Sequence, residues 1–325
     1  MSNQKLHQNN TTARAKTTSV TRYSFQRRLV LSIKKLEFWV LPGHCVLCRL
    51  ATNRNKDLCE YCESDLPWLT NQCVRCGLPN NSPTSQIDDN FSVTDTKLFS
   101  GIGNKKRNQE QNSALCYRCL TREGGAREGG TRESKPQAHF HFIDRTFTPL
   151  SYGGCARWMV QQQKHSKGSV YGRVLAELLS DALIKSAGLY DASVGEAPDW
   201  PDLLVPVPLH WRRQLSRGHN QSAVLAKHLG KRLSLPVSNS LVNRSSPTSP
   251  QQTLSKSART ANVVHAFQAT KRAKSILSDL PNQRVAIIDD VVTTGSTANA
   301  LARVLIQAGA EEIHLWSPTR AILEG

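Results

Sequence analysis

The sequence lacks any run of about 18 uncharged apolar residues, the length that a helix needs to cross a membrane. Its longest apolar stretch, residues 29–41, is interrupted by Lys34, Lys35 and Glu37. No signal peptide precedes the cysteines, and their close spacing is not that of a secretory disulfide framework. We therefore expect a cytoplasmic protein without a transmembrane segment.

Acidic residues are scarce relative to basic ones. The 25 Asp and Glu against 42 Lys and Arg give a formal net charge of +17. Most of the excess lies in residues 1–44 and 151–325. This charge favours polyanionic partners such as nucleic acid, phosphorylated metabolites or anionic lipid, although it does not determine a fold.

The first 42 residues form a basic tail. Residues 1–23 have few large apolar side chains, so we expect them to be disordered. Between residues 24 and 40 the apolar positions recur every three or four residues, which predicts an amphipathic helix. The simpler interpretation is a helix packed on the cysteine region, and the alternative is peripheral contact with a membrane.

Eight of the nine cysteines form four Cys-x-x-Cys pairs within residues 43–120. Four thiolates in a tetrahedral array hold structural zinc, so the module is predicted to be zinc-ribbon-like, with one or two ions. We expect the first two pairs to share one ion and the last two another, while an interleaved pairing and an iron–sulfur or redox role stay open. The predicted metal ligands are Cys45, Cys48, Cys59, Cys62, Cys73, Cys76, Cys116 and Cys119.

The rest of the chain suggests three further segments. Polar residues 80–112 predict a disordered insert in the cysteine module, and the repetitive residues 121–139 predict a linker. In residues 140–325 strands alternate with helices, which predicts an α/β domain with a mainly parallel sheet. The predicted strands are 146–152, 203–208, 285–288 and 313–317, and the predicted helices are 172–187, 220–233 and 297–307.

The strand at 285–288 is followed by two acids and a Thr/Gly-rich turn that opens a helix. Hydroxyls, backbone N–H groups and a helix N-terminus suit a phosphate dianion, and Gly295 lets the backbone approach it. Asp289 and Asp290 are placed to accept hydrogen bonds from two vicinal ribose hydroxyls. No Lys follows Gly295, which excludes a Walker A loop. The predicted phosphate ligands are Thr293, Thr294, Gly295, Ser296 and Thr297.

This segment resembles the phosphoribosyl pyrophosphate signature of type I phosphoribosyltransferases. The resemblance implies a pyrophosphate leaving group, which the basic loop before the helix at 220–233 would bind through Arg guanidinium groups. Mg²⁺ would bridge the ribose hydroxyls and the diphosphate oxygens. The residues predicted on the pyrophosphate side are Arg212, Arg213, Arg217, Gly218 and Asn220.

Taken together, the motifs resemble the ComF/GntX family, bacterial proteins that join a cysteine zinc module to a phosphoribosyltransferase-like domain with helices on both faces of its sheet. The resemblance covers residues 43–76, 116–120 and 147–325, and it implies a role in natural competence or the use of external DNA. The tail, the insert and the linker lie outside the family pattern. The matching positions are Pro208, Arg213, residues 217–221, residues 252–254, Arg259, Asn262, Val263, Phe267 and residues 289–297.

Three hypotheses from different classes follow. The first is a phosphoribosyltransferase that displaces pyrophosphate with a nitrogen nucleophile, although no catalytic base or nucleobase-binding motif is identifiable. The second is an accessory of the DNA-uptake machinery that binds single-stranded DNA. The third is a regulatory sensor of phosphoribosyl pyrophosphate. The fold alone does not choose among them.

Overall fold

The structure is a computed structural model that describes residues 43–52, 54–80, 115–116, 119, 140–165, 170–187, 200–210, 215, 217–244 and 266–322. The chain divides into two compact units, Met1–Asp65 and Leu66–Gly325. The predicted tail with its amphipathic helix, the linker and nearly all of the insert lie outside the described residues. Within the described ranges, no helix is both long and apolar enough to span a membrane.

The first unit is a short ribbon followed by one helical turn. Strand β1 (Gly43–His44) pairs antiparallel with β2 (Ala51–Thr52), and helix α1 is Glu60–Ser64. Glu63 accepts hydrogen bonds from Arg54 Nη1 at 2.6 Å and from Lys56 Nζ at 2.7 Å. These contacts fix α1 against the segment that follows β2.

The second unit is built on a parallel sheet. Its strands are β3 (Arg145–Phe147), β5 (Leu203–Pro206), β8 (Arg284–Ile288) and β10 (Glu312–Trp316), in the order β3-β10-β8-β5. All three pairings are parallel, with Ile288 level with Trp316 and Pro206. The α/β class and the parallel sheet predicted from the sequence are confirmed.

Three strands of this sheet break and then continue. After two residues, β3, β8 and β10 are followed by β4 (Leu150–Ser151), β9 (Val291–Val292) and β11 (Thr319–Arg320). The short strands form a second parallel sheet in the matching order β4-β11-β9. Pro149 and Pro318 lie in two of the breaks and cannot donate to a ladder. The third break is Asp289 and Asp290.

Helices connect the strands. They are α2 (Gly154–Gln163), α3 (Val170–Ser186), α4 (Gln221–Leu233), α5 (Ala273–Ser278) and α6 (Ser296–Gln307). Strands β6 (Val242–Arg244) and β7 (Phe267–Ala269) form an antiparallel pair. Asn220 caps α4 by accepting a hydrogen bond from Ser222 N at 3.1 Å, a frequent role for Asn at this position.

The turn that carries Cys73 and Cys76 belongs to this second unit. Both side chains are buried in the same apolar core as Val285 and Ile287 of β8. Thr146 of β3 donates from its backbone N to Val74 O and from its hydroxyl to Arg75 O, both at 2.6 Å. The third cysteine pair is therefore anchored to the first strand of the sheet.

Most long predicted elements match the structure within one or two residues, and two differences are informative. Residues 146–152 were expected to form one strand, but Thr148 and Pro149 divide them between two sheets. Helix α2 was not predicted. Its Gly-Gly start gives no side-chain cap, so the usual sequence signal for a helix N-terminus is absent.

Glu312, at the start of β10, supports a prediction about acid stability. Its Oε1 lies 2.9 Å from His314 Nε2, and its carboxylate is within 3.4 Å of Arg145 Nε and 3.1 Å of Arg284 Nε. The hydrogen bond with His314 is the main cause that lowers the pKa of Glu312 from 4.5 to about 2. Because the folded pKa is the lower one, this stabilisation is present above pH 4.5 and is lost as the pH falls toward 2.

We expect Glu312→Gln to lower the free energy of unfolding at pH 7 by about 2 kcal/mol. Between pH 6 and pH 3, the native chain should lose more stability than the variant, as measured by urea unfolding. Glu311→Gln, at the exposed neighbouring position, is the control and should behave like the native chain. Equal pH dependence in Glu312→Gln and the native chain would contradict the assignment.

Candidate functional site

The carboxylates of Asp289 and Asp290 lie where β8 breaks before β9. Asp289 N donates to Trp316 O at 3.1 Å, and Asp289 Oδ1 accepts from Asp290 N at 2.9 Å. Burial, together with the neighbouring Asp290 carboxylate, raises the pKa of Asp289 well above its usual range. A ligand that supplies hydroxyl donors or a cation would stabilise the ionised form of this carboxylate pair.

The predicted phosphate loop joins β9 to α6. Gly295 has φ +78° and stands at the N-cap of α6, and the Thr294 and Ser296 hydroxyls are 2.8 Å apart. The backbone N–H groups of Thr293, Thr294 and Gly295 have no acceptor among the described residues. Three such donors at the N-terminus of a 12-residue helix are suited to hydrogen-bond an anion.

Phe140 fixes the shape of this loop. A Cβ on Gly295 would overlap the Phe140 ring, so a larger residue would displace the aromatic side chain as well as strain a positive φ. The amide of Phe142, two residues on, donates to Asn299 Oδ1 in α6 at 2.9 Å. The segment before β3 therefore packs against the start of α6.

The basic loop lies next to the carboxylates. Ser222 Oγ, in the first turn of α4, donates to Asp289 Oδ1 at 3.2 Å. Asn220 Nδ2 donates to Val207 O at 3.0 Å, which ties the loop to the end of β5. The structure thus brings Arg217, Gly218 and Asn220 to the same end of the sheet as Asp289. Arg212 and Arg213 lie outside the described residues.

His219 joins the basic loop to helix α2. Its Nδ1 is 3.1 Å from Arg217 O and its Nε2 is 3.0 Å from Gln163 O. Gln163 is the last residue of α2, so this contact places the basic loop at the C-terminus of that helix.

An open groove of about 940 Å³ runs from this loop along α4 to β6. Lys227, Lys231 and Arg244 line it, with His219 and Asn220 at the end nearest the basic loop. None of the described residues that line the groove is acidic. The groove therefore suits a negatively charged ligand longer than one phosphate.

The cysteines form two separate clusters. In each, the four sulfur atoms lie within 4.8 Å of one another, and the members are Cys45, Cys48, Cys59 and Cys62 in the first cluster, and Cys73, Cys76, Cys116 and Cys119 in the second. This is the sequential pairing expected from the sequence. The clusters belong to the first and second compact units respectively.

The sulfur geometry fits tetrahedral zinc. The Cys48 and Cys59 sulfurs are 3.7 Å apart, as are those of Cys76 and Cys116. Four Zn–S bonds of about 2.3 Å in a tetrahedron place sulfurs about 3.8 Å apart. In the first cluster, burial opposes ionisation of Cys45, but backbone N–H groups, led by that of Cys59, lower the pKa of its thiol to about 6.

Arg320 connects the second cluster with the phosphate loop. Its side chain is 3 % exposed, and its Nε donates to Cys76 O at 2.9 Å. Its Nη1 donates to Val292 O at 2.9 Å and to Thr293 O. Among the described residues no carboxylate pairs with this guanidinium, and its charge faces the four thiolates of the second cluster.

Sequence reasoning did not find Ser222, Phe140 or Arg320 as parts of the site. Ser222 follows the basic motif directly, and its N-terminal place in a helix was a usable signal. Phe140 and Arg320 stand in no motif, and Arg320 contacts a carbonyl 244 positions earlier in the chain. Only the folded chain shows such a contact.

We expect about two zinc ions per native chain, measured by inductively coupled plasma mass spectrometry. Cys59→Ser and Cys116→Ser should each lower the content to about one, because each removes a ligand from a different cluster. Cys155→Ser, which changes an exposed cysteine outside both clusters, should retain two. A native content of one ion would contradict the two-cluster assignment.

Comparison with known families and proteins agrees with this architecture. The family described as the double zinc ribbon domain matches residues 37–90, and the family described as the phosphoribosyl transferase domain matches residues 219–319. "DNA utilization protein YhgH" of Salmonella typhi is 27 % identical over 288 residues, which cover 87 % of this chain and 99 % of the relative. The Escherichia coli K12 protein of the same name gives the same values.

"Competence protein F" of Haemophilus influenzae is 35 % identical over 181 residues, which cover 56 % of this chain and 70 % of the relative. Both parts of the fold, the cysteine clusters and the phosphoribosyltransferase-type sheet, have matches in these comparisons. The chain therefore belongs to the ComF/GntX family.

Proposed function

We propose that this protein binds phosphoribosyl pyrophosphate with Mg²⁺ and acts in natural competence, in the uptake or use of external DNA. The proposal of this ligand rests on the phosphate loop. Three of its N–H groups have no acceptor among the described residues, and the loop lies beside the Asp289 and Asp290 carboxylates. The biological role is supported by relatives named for competence and for DNA utilization.

Each part of the proposed ligand has a chemical counterpart. The 5-phosphate occupies the N-terminus of α6, where the loop amides and hydroxyls donate to its oxygens. Asp289 and Asp290 accept from the two ribose hydroxyls, and a Mg²⁺ ion bound with the ligand would supply positive charge that offsets the diphosphate. Arg217, with Arg212 and Arg213, balances the charge of the pyrophosphate.

A transferase reaction at this site would break the bond between the anomeric carbon and pyrophosphate and form a bond to a nitrogen nucleophile. The cationic loop stabilises the leaving group, and the carboxylates stabilise the positive charge that develops on the ribose ring. Release of pyrophosphate from labelled phosphoribosyl pyrophosphate, screened over candidate bases, separates a transferase from a sensor. No release with any acceptor favours the sensor.

We expect isothermal titration calorimetry to detect binding of phosphoribosyl pyrophosphate in the presence of Mg²⁺. The double variant Asp289→Asn and Asp290→Asn should weaken this binding at least about 100-fold, because two charge-assisted hydrogen-bond acceptors are lost. Asp279→Asn changes an exposed carboxylate at the end of α5 and should leave the affinity unchanged. If the native chain shows no binding, the proposed ligand is wrong.

Acidification provides a second measurement on the same site. The ligand binds the ionised carboxylates, so protonation competes with it, and the raised pKa of Asp289 moves this competition to a higher pH than an ordinary Asp would show. Affinity should therefore begin to fall above the usual Asp range as the pH decreases. Affinity that is constant down to pH 4 contradicts this account of Asp289.

The groove along α4 favours a second candidate function, binding of single-stranded DNA. Lys227, Lys231 and Arg244 supply positive charge along a path that begins at the proposed pyrophosphate loop. Phosphate contacts of this type give affinity without sequence preference. In this function the phosphate loop would bind a phosphate of the strand or sense a metabolite while DNA occupies the groove.

We expect binding of a labelled single strand, measured by fluorescence anisotropy, to weaken steeply with salt. Lys227→Ala with Lys231→Ala should reduce the slope of log K against log salt by about 0.7 for each lost phosphate contact. Arg212→Ala or Arg213→Ala should also weaken binding. Lys274→Ala, an exposed lysine outside the groove, is the control. If the slopes are unchanged in all the variants, neither the groove nor the basic loop is the DNA-binding surface.

A further inference from the structure

The buried guanidinium of Arg320 connects the second cysteine cluster with the phosphate loop. On one side it donates to Cys76 O, within the turn that supplies two ligands of the second cysteine cluster. On the other side it donates to Val292 O and Thr293 O, the carbonyls that begin the phosphate loop. A single side chain thus spans the zinc cluster and the loop.

These contacts orient the donors of the phosphate loop. In a trans peptide the C=O of one residue and the N–H of the next point in opposite directions. With the carbonyls of Val292 and Thr293 directed at Arg320, the N–H groups of Thr293 and Thr294 point away from it, and neither has an acceptor among the described residues. Arg320 therefore holds two donors in the direction that a phosphate requires.

The charge of Arg320 fits a metal-loaded second cluster. A zinc ion with four thiolates carries a formal charge of −2. Among the described residues no carboxylate pairs with Arg320, and its hydrogen bonds go to neutral carbonyls, with the Phe140 ring 5.6 Å from its Cζ. A buried cation needs a counter-charge nearby, which the zinc–thiolate cluster provides.

We propose that Arg320 is a positioning residue that couples zinc occupancy of the second cluster to the geometry of the phosphate loop, so that zinc and a phosphate monoester strengthen each other's binding. The first cluster, in the other compact unit, has no such coupling. The proposal rests on binding at the phosphate loop, as proposed above, and by linkage the effect must be reciprocal. Zinc in this family member thereby acts on ligand affinity as well as on folding.

The test compares the two clusters within one chain. Zinc affinity is measured at equilibrium against a competing chromogenic chelator, with and without ribose 5-phosphate, in Cys59→Ser, which retains the second cluster, and in Cys116→Ser, which retains the first. We expect ribose 5-phosphate to raise zinc affinity at least about fivefold in Cys59→Ser and to leave it unchanged in Cys116→Ser. No change in Cys59→Ser, with ribose 5-phosphate bound, overturns the proposal.

Arg320→Lys, made in the Cys59→Ser background, separates coupling from a general structural role. A lysine keeps the charge but has no planar fork, so it cannot hold Cys76 O and the two loop carbonyls together. We expect the ratio of zinc affinities with and without ribose 5-phosphate to fall to about one. If both affinities fall while their ratio is retained, Arg320 is only structural and the proposal is wrong.

Hydrogen exchange tests the coupling without any ligand and with the native chain. Withdrawal of zinc from the second cluster should raise exchange at the Ala321 amide, which donates to Val292 O at 2.8 Å where the loop begins, relative to the amides of α4, such as that of Leu229. Equal exchange at Ala321 before and after withdrawal overturns the proposal. If calorimetry shows no binding of ribose 5-phosphate or phosphoribosyl pyrophosphate, the proposed function fails, and this measurement still decides the coupling.

Discussion

The two-residue break in three parallel strands is the constraint on which the second unit depends. At a break the strands leave one sheet and enter another, and their backbone groups must find partners outside a regular ladder. Ser317 N donates to Phe147 O and Asp289 N to Trp316 O, which hold the breaks level with one another. The Thr319 hydroxyl donates to Asp290 O at 3.0 Å across the same line. The carboxylates stand at this line because β8 ends there.

Contacts along this line also hold the turn that carries Cys73 and Cys76 within the domain. Thr146 and Thr148, on either side of the end of β3, donate to the carbonyls of Arg75 and Gly77. Gly77 has φ +67°, and a Cβ there would lie 2.7 Å from Thr148 Oγ1, so the turn and the strand approach as closely as glycine permits. From the opposite side, Arg320 reaches Cys76 O. Arg320 thus contacts both the turn that carries Cys73 and Cys76 and the start of the phosphate loop.

Local sequence signals determined the long elements and the motifs that belong to them. The apolar run at β8, the helix that Asn220 caps and the Thr/Gly turn before α6 each have a signature within a few residues, so each was predictable. Strands β9 and β11 have two residues each, too few for any periodicity to show. The roles of Phe140 and Arg320 depend on packing between distant parts of the chain. Such contacts leave no local pattern, because the residues around a buried side chain do not show which distant segment will pack against it.

Zinc in the second cluster closes a loop between Cys76 and Cys116, whose sulfurs are 3.7 Å apart although 40 positions separate them in the chain. Because the metal and the core hold both ends, the entropic free-energy cost of closing the intervening segment grows only with the logarithm of its length. Evolution can therefore lengthen or rewrite residues 81–114 without disturbing the domain. A chain cut by a protease within this segment would keep its two fragments joined, both through the metal and through the hydrogen bonds that hold the Cys73/Cys76 turn to β3 and Arg320.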